Sequence, residues 1–384
     1  MMNDLLIAAI LTALIFIAGT ISIELGLSAA IIEIVFGVIA GNLFNIHPTP
    51  WLTFIASTGG ILLTFLAGTE VNLIVMREKF KESMLIGGLS FLLPFLAAFA
   101  YTYYVAGWSL EAAKIAGVAL STTSLAVVYA VLVETGLNQT ELGKIIMAAT
   151  FVTDFGTALA LSVLFLQFNL YTLLFLVFSI LLLVLGPKML IWFFKRYENR
   201  VIEPEIKLLL CIFFMAMFLG EIGKSHAVLP IFIFGLLLSG FFEKNPHLIK
   251  KLRTVGFAFI TPFFFIKGGM IVGVHEVAAN WYLLLALLGV KIGAKIIGVY
   301  PVTRAMLPKG GRIFLTLLMS TGLTFGTIST MFGYQAGYIN KAQFSVLIAT
   351  VILSAVVPTI IAQRYFMPAP EDMKDEILAE GEEG

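Results

Sequence analysis

The chain has 384 residues, 60% of them apolar and only 12% charged, with a formal net charge of +1 and a mean hydropathy of +1.01. A soluble domain carries about 25% charged residues, so this composition excludes an ordinary aqueous fold and points to a bilayer as solvent. Charge near neutrality without a long basic run offers nothing to nucleic acid, and the single cysteine, Cys211, allows neither a disulfide framework nor a cysteine metal site.

Lipid cannot satisfy an exposed backbone amide, whereas a helix of about 20 mostly apolar residues satisfies its own and crosses the hydrocarbon. Apolar runs divided by polar or Gly/Pro breaks number about 13, which predicts an all-α polytopic membrane protein. The first run starts near Leu5, after Asp4, and lacks the basic flank and small-residue cleavage site of a signal peptide. The second and third start near Ser28 and Trp51 and carry Glu33 and, at the far end, Glu70. Glu70 precedes Asn72 and a basic loop, so interfacial exposure explains it simply.

The fourth and fifth runs start near Met84 and Ala112, and the fifth contains Ser121-Thr122-Thr123-Ser124. The sixth starts near Ile145 and holds Asp154; a break at 167–171 divides it from the seventh. Runs eight and nine start near Ile206 and Ala227, with Glu221 and His226 flanking a short water-facing loop. Cys211 lies in the eighth, where its apolar neighbours predict a small core residue. The tenth, from about Val255, contains Lys267; the eleventh, from Trp281, contains Lys291 and Lys295; the twelfth, from Ile313, contains Ser320-Thr321-Gly322; the last starts near Phe344. The segment 367–384 is acidic and interrupted by Pro368 and Pro370, a composition expected of a short disordered tail.

Cytoplasmic loops collect Lys and Arg. The basic groups Arg77, Lys79 and Lys81; Lys195, Arg196 and Arg200; Lys244, Lys250, Lys251 and Arg253; and Arg304, Lys309 and Arg312 all fall on one side of a thirteen-span scheme. That scheme puts the N-terminus outside and the C-terminus in the cytoplasm.

Units seven spans apart in one chain have opposite orientations, the mark of inverted repeats. The hydroxyl-rich stretches of runs five and twelve stand seven runs apart. If both are unwound, their free carbonyls and helix-end dipoles can coordinate a cation near the midplane. The plainer alternative is that Ser and Thr bond back to their own helices and let neighbours approach.

Asp154 lies roughly ten residues into its run, near the midplane, where a charge costs several kcal/mol unless paired, hydrated or protonated. One carboxylate can hold a proton or a metal cation but not both, and that competition is an exchange mechanism. The alternative is an ion pair that ties two helices together. Lys291 and Lys295 share a helix face by their spacing of four, and either could neutralise a carboxylate. Lys267 could also snorkel outward. No HExxH, GxSxG, Walker or nucleotide-binding signature occurs, so neither an enzyme nor a cofactor is expected.

At these residues the chain resembles the monovalent cation:proton antiporter superfamily, in the branch of bacterial sodium/proton antiporters and Kef-type potassium efflux systems. The resemblance rests on the order of Ile32-Glu33-Ile34-Val35-Phe36-Gly37 with Ala40-Gly41, Phe65-Leu66-Ala67-Gly68-Thr69-Glu70, Ser121-Thr122-Thr123-Ser124, Thr153-Asp154, Phe234-Gly235-Leu236, Phe263-Phe264-Phe265 with Gly269-Met270, and Lys295 with Gly298 and Arg304. It implies a membrane domain over 1–366 whose core, about 84–165 and 281–362, is two inverted three-helix units with crossed, broken helices. A comparatively still dimerisation domain stands beside that core, making a homodimer.

The resemblance further implies exchange of Na+ or K+ for protons by an elevator-like movement. Asp154 matches the ion- and proton-binding aspartate of the family; the neighbouring hydroxyls of Thr153, Thr122, Thr123 and Ser124 are the candidate oxygen ligands. Lys295, Lys291, Lys267 and Glu70 are the candidate charge partners. In some members the lysine matched by Lys295 pairs with a second acid just before the aspartate; here that position is Thr153, so one proton per cation and electroneutral exchange are expected. Ser320-Thr321-Gly322-Leu323-Thr324 stands where many relatives carry a Pro-Arg-Gly-Glu-like stretch, and Lys267 where they have an apolar or small residue. Two other readings stay open from the residues alone: a Kef-like efflux pathway without obligatory proton coupling, and a sodium-coupled organic-anion symporter.

Overall fold

The structure, a computed structural model, describes residues 3–25, 28–71, 77–137, 140–165, 170–197, 200, 202–223, 225, 227–307 and 309–368. His226, the 167–171 break apart from its last two residues, and most of the acidic tail lie outside the described residues. Every regular element among those described is helical.

The chain opens with α1 (Asp4–Leu25), α2 (Ala29–Asn42) and α3 (Pro50–Thr69). Thr49 caps α3, and Pro50, which has no amide hydrogen to leave unsatisfied, takes its first position. α4 (Phe80–Ala100) continues as a π-helical turn over Tyr101–Val105. An interrupted helix follows: α5 (Leu110–Ser121), a non-helical stretch over 122–124, and α6 (Leu125–Glu134). Thr140 caps α7 (Glu141–Leu164) by accepting from the Gly143 amide at 3.1 Å.

α8 (Leu170–Tyr197), α9 (Pro204–Ile222) and α10 (Val228–Lys244) come next. α11 (Pro246–Val255) runs through the π-helical turn Gly256–Ile260 into α12 (Thr261–Ile271). After the short α13 (Val274–Ala279) comes α14 (Trp281–Met306). A second interrupted helix then forms from α15 (Arg312–Met319), a break over 320–323 and α16 (Thr324–Gln335). α17 (Lys341–Tyr365) closes the series behind an Asn340/Gln343 capping box.

Nine of the described helical stretches are long and apolar enough to cross a bilayer. The other segments expected from the sequence are helical but shorter, as in α2, α10 and the α5–α6 pair, or carry three charges, as Glu205, Lys207 and Glu221 do in α9. Helix, interrupted helix and helix thus occur twice, in α4–α7 and in α14–α17, and both hydroxyl-rich stretches are unwound. α4 packs on α5, α7 and α14. One buried cluster joins the two sets through Ile86, Ile146, Val299, Phe314 and Ala362.

Outside these sets, α2 packs on α12, and α3 on α10 and α12. Small residues permit the approach, as helix contacts in lipid require. A Cβ on Gly269 would meet the Ile34 carbonyl oxygen and come within 2.8 Å of the Val38 amide nitrogen, so only glycine fits there.

Cys211 corrects an expectation: it is exposed on α9 and is not a core residue. The buried positions of α9 include Leu209, Ile212, Phe213 and Ala216, and Cys211 points away from that face. Lipid is as apolar as a core, so apolar neighbours in the sequence do not separate the two.

Candidate functional site

The two breaks lie against each other. The Thr123 hydroxyl donates to the Met319 carbonyl at 2.9 Å, and the Ser124 amide donates to Thr321 Oγ1 at 3.4 Å, across 196 and 197 residues of sequence. Each interruption frees backbone groups that an intact helix would pair internally; the hydroxyls and amides of the opposite break take up part of that demand. Ser354 of α17 adds a donor to the Gly322 carbonyl at 3.4 Å.

Lys295 satisfies the first break. Its fully buried ammonium donates to Ser90 Oγ at 2.8 Å, the Ser121 carbonyl at 2.8 Å and Thr123 Oγ1 at 3.0 Å. These three acceptors match the three N–H groups of an ammonium. The Ser121 carbonyl ends α5, where the helix dipole is negative, so the charge sits where it is stabilised. Lys295 therefore ties α14 to α4 and to the end of α5.

Asp154 projects from the middle of α7 and is 2% exposed. Its Oδ1 has no hydrogen-bond partner among the described residues, and the carboxylate forms no ion pair with them. Its charge is within electrostatic reach of those of Lys295 and Glu70. A buried carboxylate with an unsatisfied oxygen needs a proton or a cation.

The expected oxygen ligands are all buried. Thr153 donates to the Thr150 carbonyl at 2.6 Å, and Thr122 to the Ala119 carbonyl at 3.1 Å. Ser124 accepts from the Val127 amide at 3.5 Å, capping α6. Back-bonding to the local helix, the plainer alternative for such residues, thus operates here together with the break. Each of these hydroxyl oxygens still has an acceptor lone pair.

The remaining charges separate. Lys291, one turn from Lys295, is fully buried, and its Nζ has no partner among the described residues. It lies against Gly322 of the second break, where an added Cβ would collide with it. Lys267 is buried on α12, away from both breaks in sequence, and forms no ion pair with a described residue. Glu70 follows the last turn of α3, is 29% exposed at its side chain and pairs with Arg253 at 2.8 Å. Sequence reasoning found Lys295 and Glu70 but missed their partners Ser90 and Arg253, which lie 205 and 183 residues away.

The model of the sodium/hydrogen exchanger family, transmembrane, matches residues 10–367. The chain belongs to that family. This exchanger is 27% identical over 93% of its length to the Methanocaldococcus jannaschii protein called "Probable Na(+)/H(+) antiporter 3", 95% of which is covered. It is 25% identical over 92% of its length to the Na(+)/H(+) antiporter NhaS4 of Synechocystis, 91% of which is covered. Its fold is similar to that of the sodium proton antiporter MjNhaP1 from M. jannaschii at pH 8, with a TM-score of 0.68 at 13% identity, over 93% of this chain and 97% of the other. The all-helical exchanger fold expected from the sequence is thus present, and the exchanger is a membrane protein.

Proposed function

We propose that this exchanger moves a monovalent cation, Na+ or K+, against protons, with Asp154 holding one or the other. The observation that carries the reading is the buried Asp154 carboxylate with an unpartnered oxygen, on a helix packed beside two unwound breaks. Thr153, Thr122, Thr123 and Ser124 lend oxygens to the dehydrated cation. The relatives' names, which specify Na+ and H+, support the substrate pair.

Alternating access follows an elevator-like movement in which α4–α7 and α14–α17, the core, shift against the remaining helices, the scaffold. Two copies pair through the scaffold. The N-terminus faces outward and the C-terminus the cytoplasm, in the inner membrane of the cell. One carboxylate carries one proton per monovalent cation, so exchange is electroneutral.

In proteoliposomes offered Na+, K+ and Li+ separately, Asp154→Asn abolishes cation-dependent proton movement; unchanged exchange in that variant refutes the mechanism. Competition for one carboxylate also has a sign. Lowering the pH raises the cation concentration for half-maximal rate, by up to about tenfold per pH unit, and an imposed membrane potential leaves the rate unchanged.

A further inference from the structure

α8 is divided lengthwise. Leu182, Gly186, Leu190 and Phe194 belong to its buried stripe. A Cβ on Gly186 would come within 2.9 Å of the Phe234 ring of α10, and the Phe194 ring meets those of Phe241 and Phe242 at 5.9 and 6.2 Å. Half a turn away, Val177, Leu181, Val184, Lys188, Trp192 and Lys195 follow one another at spacings of three and four, and all are exposed. The first three make an apolar surface fit for lipid. Lys188 breaks that pattern.

Lys188 precedes Trp192 by one turn, about 6 Å along the axis, and Lys195 follows it by about 4.5 Å. Tryptophan settles at the boundary between acyl chains and headgroups, so Lys188 is rooted on the hydrocarbon side of that boundary. Cα–Cβ bonds tilt toward the helix N-terminus, which starts the Lys188 side chain deeper and the Lys195 side chain back toward the indole. Lys188 reaches the boundary only by bending outward, and its charge there still needs an anion. The neighbouring protein supplies none. α8 contains no acidic residue, and neither Lys188 nor Lys195 forms an ion pair with a described residue. Arg196, exposed beside Lys195, adds a third positive charge. At the end of α10, Glu243 is offset in formal charge by the adjacent Lys244.

We propose that this face of α8 docks one anionic phospholipid, its phosphate between the Lys188 and Lys195 ammoniums at the level of the Trp192 indole and its acyl chains along Val184, Leu181 and Val177. Charge complementarity selects an anion. The occupant is a lipid and not a free anion, because Lys188 is rooted below the headgroup level, where a phosphate is held by its own chains. The Trp192 N–H is a further donor to it. α8 joins the first interrupted set to α9 and α10, on which it packs, so the lipid sits on the connection between two parts of the molecule.

The test places the full chain in phosphatidylcholine vesicles in which a rising fraction of the lipid is replaced by brominated phosphatidylglycerol or, separately, by brominated phosphatidylcholine. Bromine quenches tryptophan, and the fluorescence lost on Trp192→Phe isolates Trp192. Each lysine beside an anionic headgroup contributes about fivefold in binding, so Trp192 shows a preference for phosphatidylglycerol of at least about tenfold. Lys188→Gln lowers that preference about fivefold, and the double variant Lys188→Gln/Lys195→Gln brings it within about twofold of parity. Trp281, the exposed first residue of α14 with no lysine within a turn of it, is isolated in the same way and is quenched by the two lipids equally within about twofold.

Equal quenching of Trp192 by the two lipids in the wild type overturns the proposal. So does a preference that survives Lys188→Gln unchanged, or one as large at Trp281. Quenching of Trp192 by neither lipid means that a second copy covers the face, and also overturns it. The replaced side chains are exposed, and melting in detergent checks that each variant is assembled. Where Lys188→Gln does not assemble, Lys195→Gln carries the same expectation.

Discussion

Lys295→Met keeps the length of the side chain and removes its three donors. Hydrogen bonds to charged groups contribute about 1.5–3 kcal/mol each, so the contacts to Ser90, Ser121 and Thr123 amount to about 5–9 kcal/mol. Against this stands a cost of several kcal/mol for burying the ammonium. The balance is a net loss of about 2–4 kcal/mol, with the Ser121 carbonyl at the end of α5 left without its charged donor. At about 2 °C per kcal/mol for a chain of this size, the melting temperature in detergent falls by about 4–8 °C.

A double-mutant cycle makes the argument specific. Ser90→Ala alone costs about 1–2 kcal/mol, and in the Lys295→Met background it costs nothing further, because the partner has already gone. Wild-type melting in Lys295→Met, or a Ser90→Ala effect of the same size in both backgrounds, would refute the role of Lys295 as the tie between α4, α5 and α14.

Two further substitutions probe the neighbouring charges. Gly322→Ala puts a methyl against the Lys291 ammonium and 2.8 Å from Thr122 Oγ1; overpacking of this kind costs about 1–3 kcal/mol, and the expected result is an assembled protein whose flux in proteoliposomes is reduced by about tenfold or more. Glu70→Gln keeps the shape of the group that follows α3 and removes a charge within reach of Asp154. Its pair with Arg253 is partly exposed, so stability changes by less than about 1 kcal/mol, while the cation concentration for half-maximal exchange rises about two- to fivefold at alkaline pH, where protons do not compete, and changes little at acid pH, because the proton loses the same attraction as the cation.

The backbone events at the site were legible in the sequence because they depend on residue type over short range. Hydroxyls and glycine inside apolar runs marked the breaks at 122–124 and 320–323, and the cost of a midplane charge marked Asp154. What depends on remote partners was not legible. Nothing near Lys295 announces Ser90, and nothing near Glu70 announces Arg253. Cys211 was misplaced for a related reason, since a helix face turned to lipid and one turned to the core have the same composition.

The two breaks are satisfied by different means, and this difference bears on Asp154. The second break receives neutral donors: the Thr123 hydroxyl at the Met319 carbonyl and the Ser354 hydroxyl at the Gly322 carbonyl. The first receives the Lys295 ammonium, whose three N–H groups are all taken by Ser90, Ser121 and Thr123. With Thr153 in place of a second acid, the lysine has no adjacent carboxylate to bind, and backbone and hydroxyl oxygens take that role. Its charge is consumed in holding the break. Asp154 is left without an ion pair among the described residues; on the proposed function, a cation arriving there would displace a proton without having to break a lysine contact. The proposed one-for-one exchange needs such a carboxylate, held apart from the lysine that shapes its surroundings.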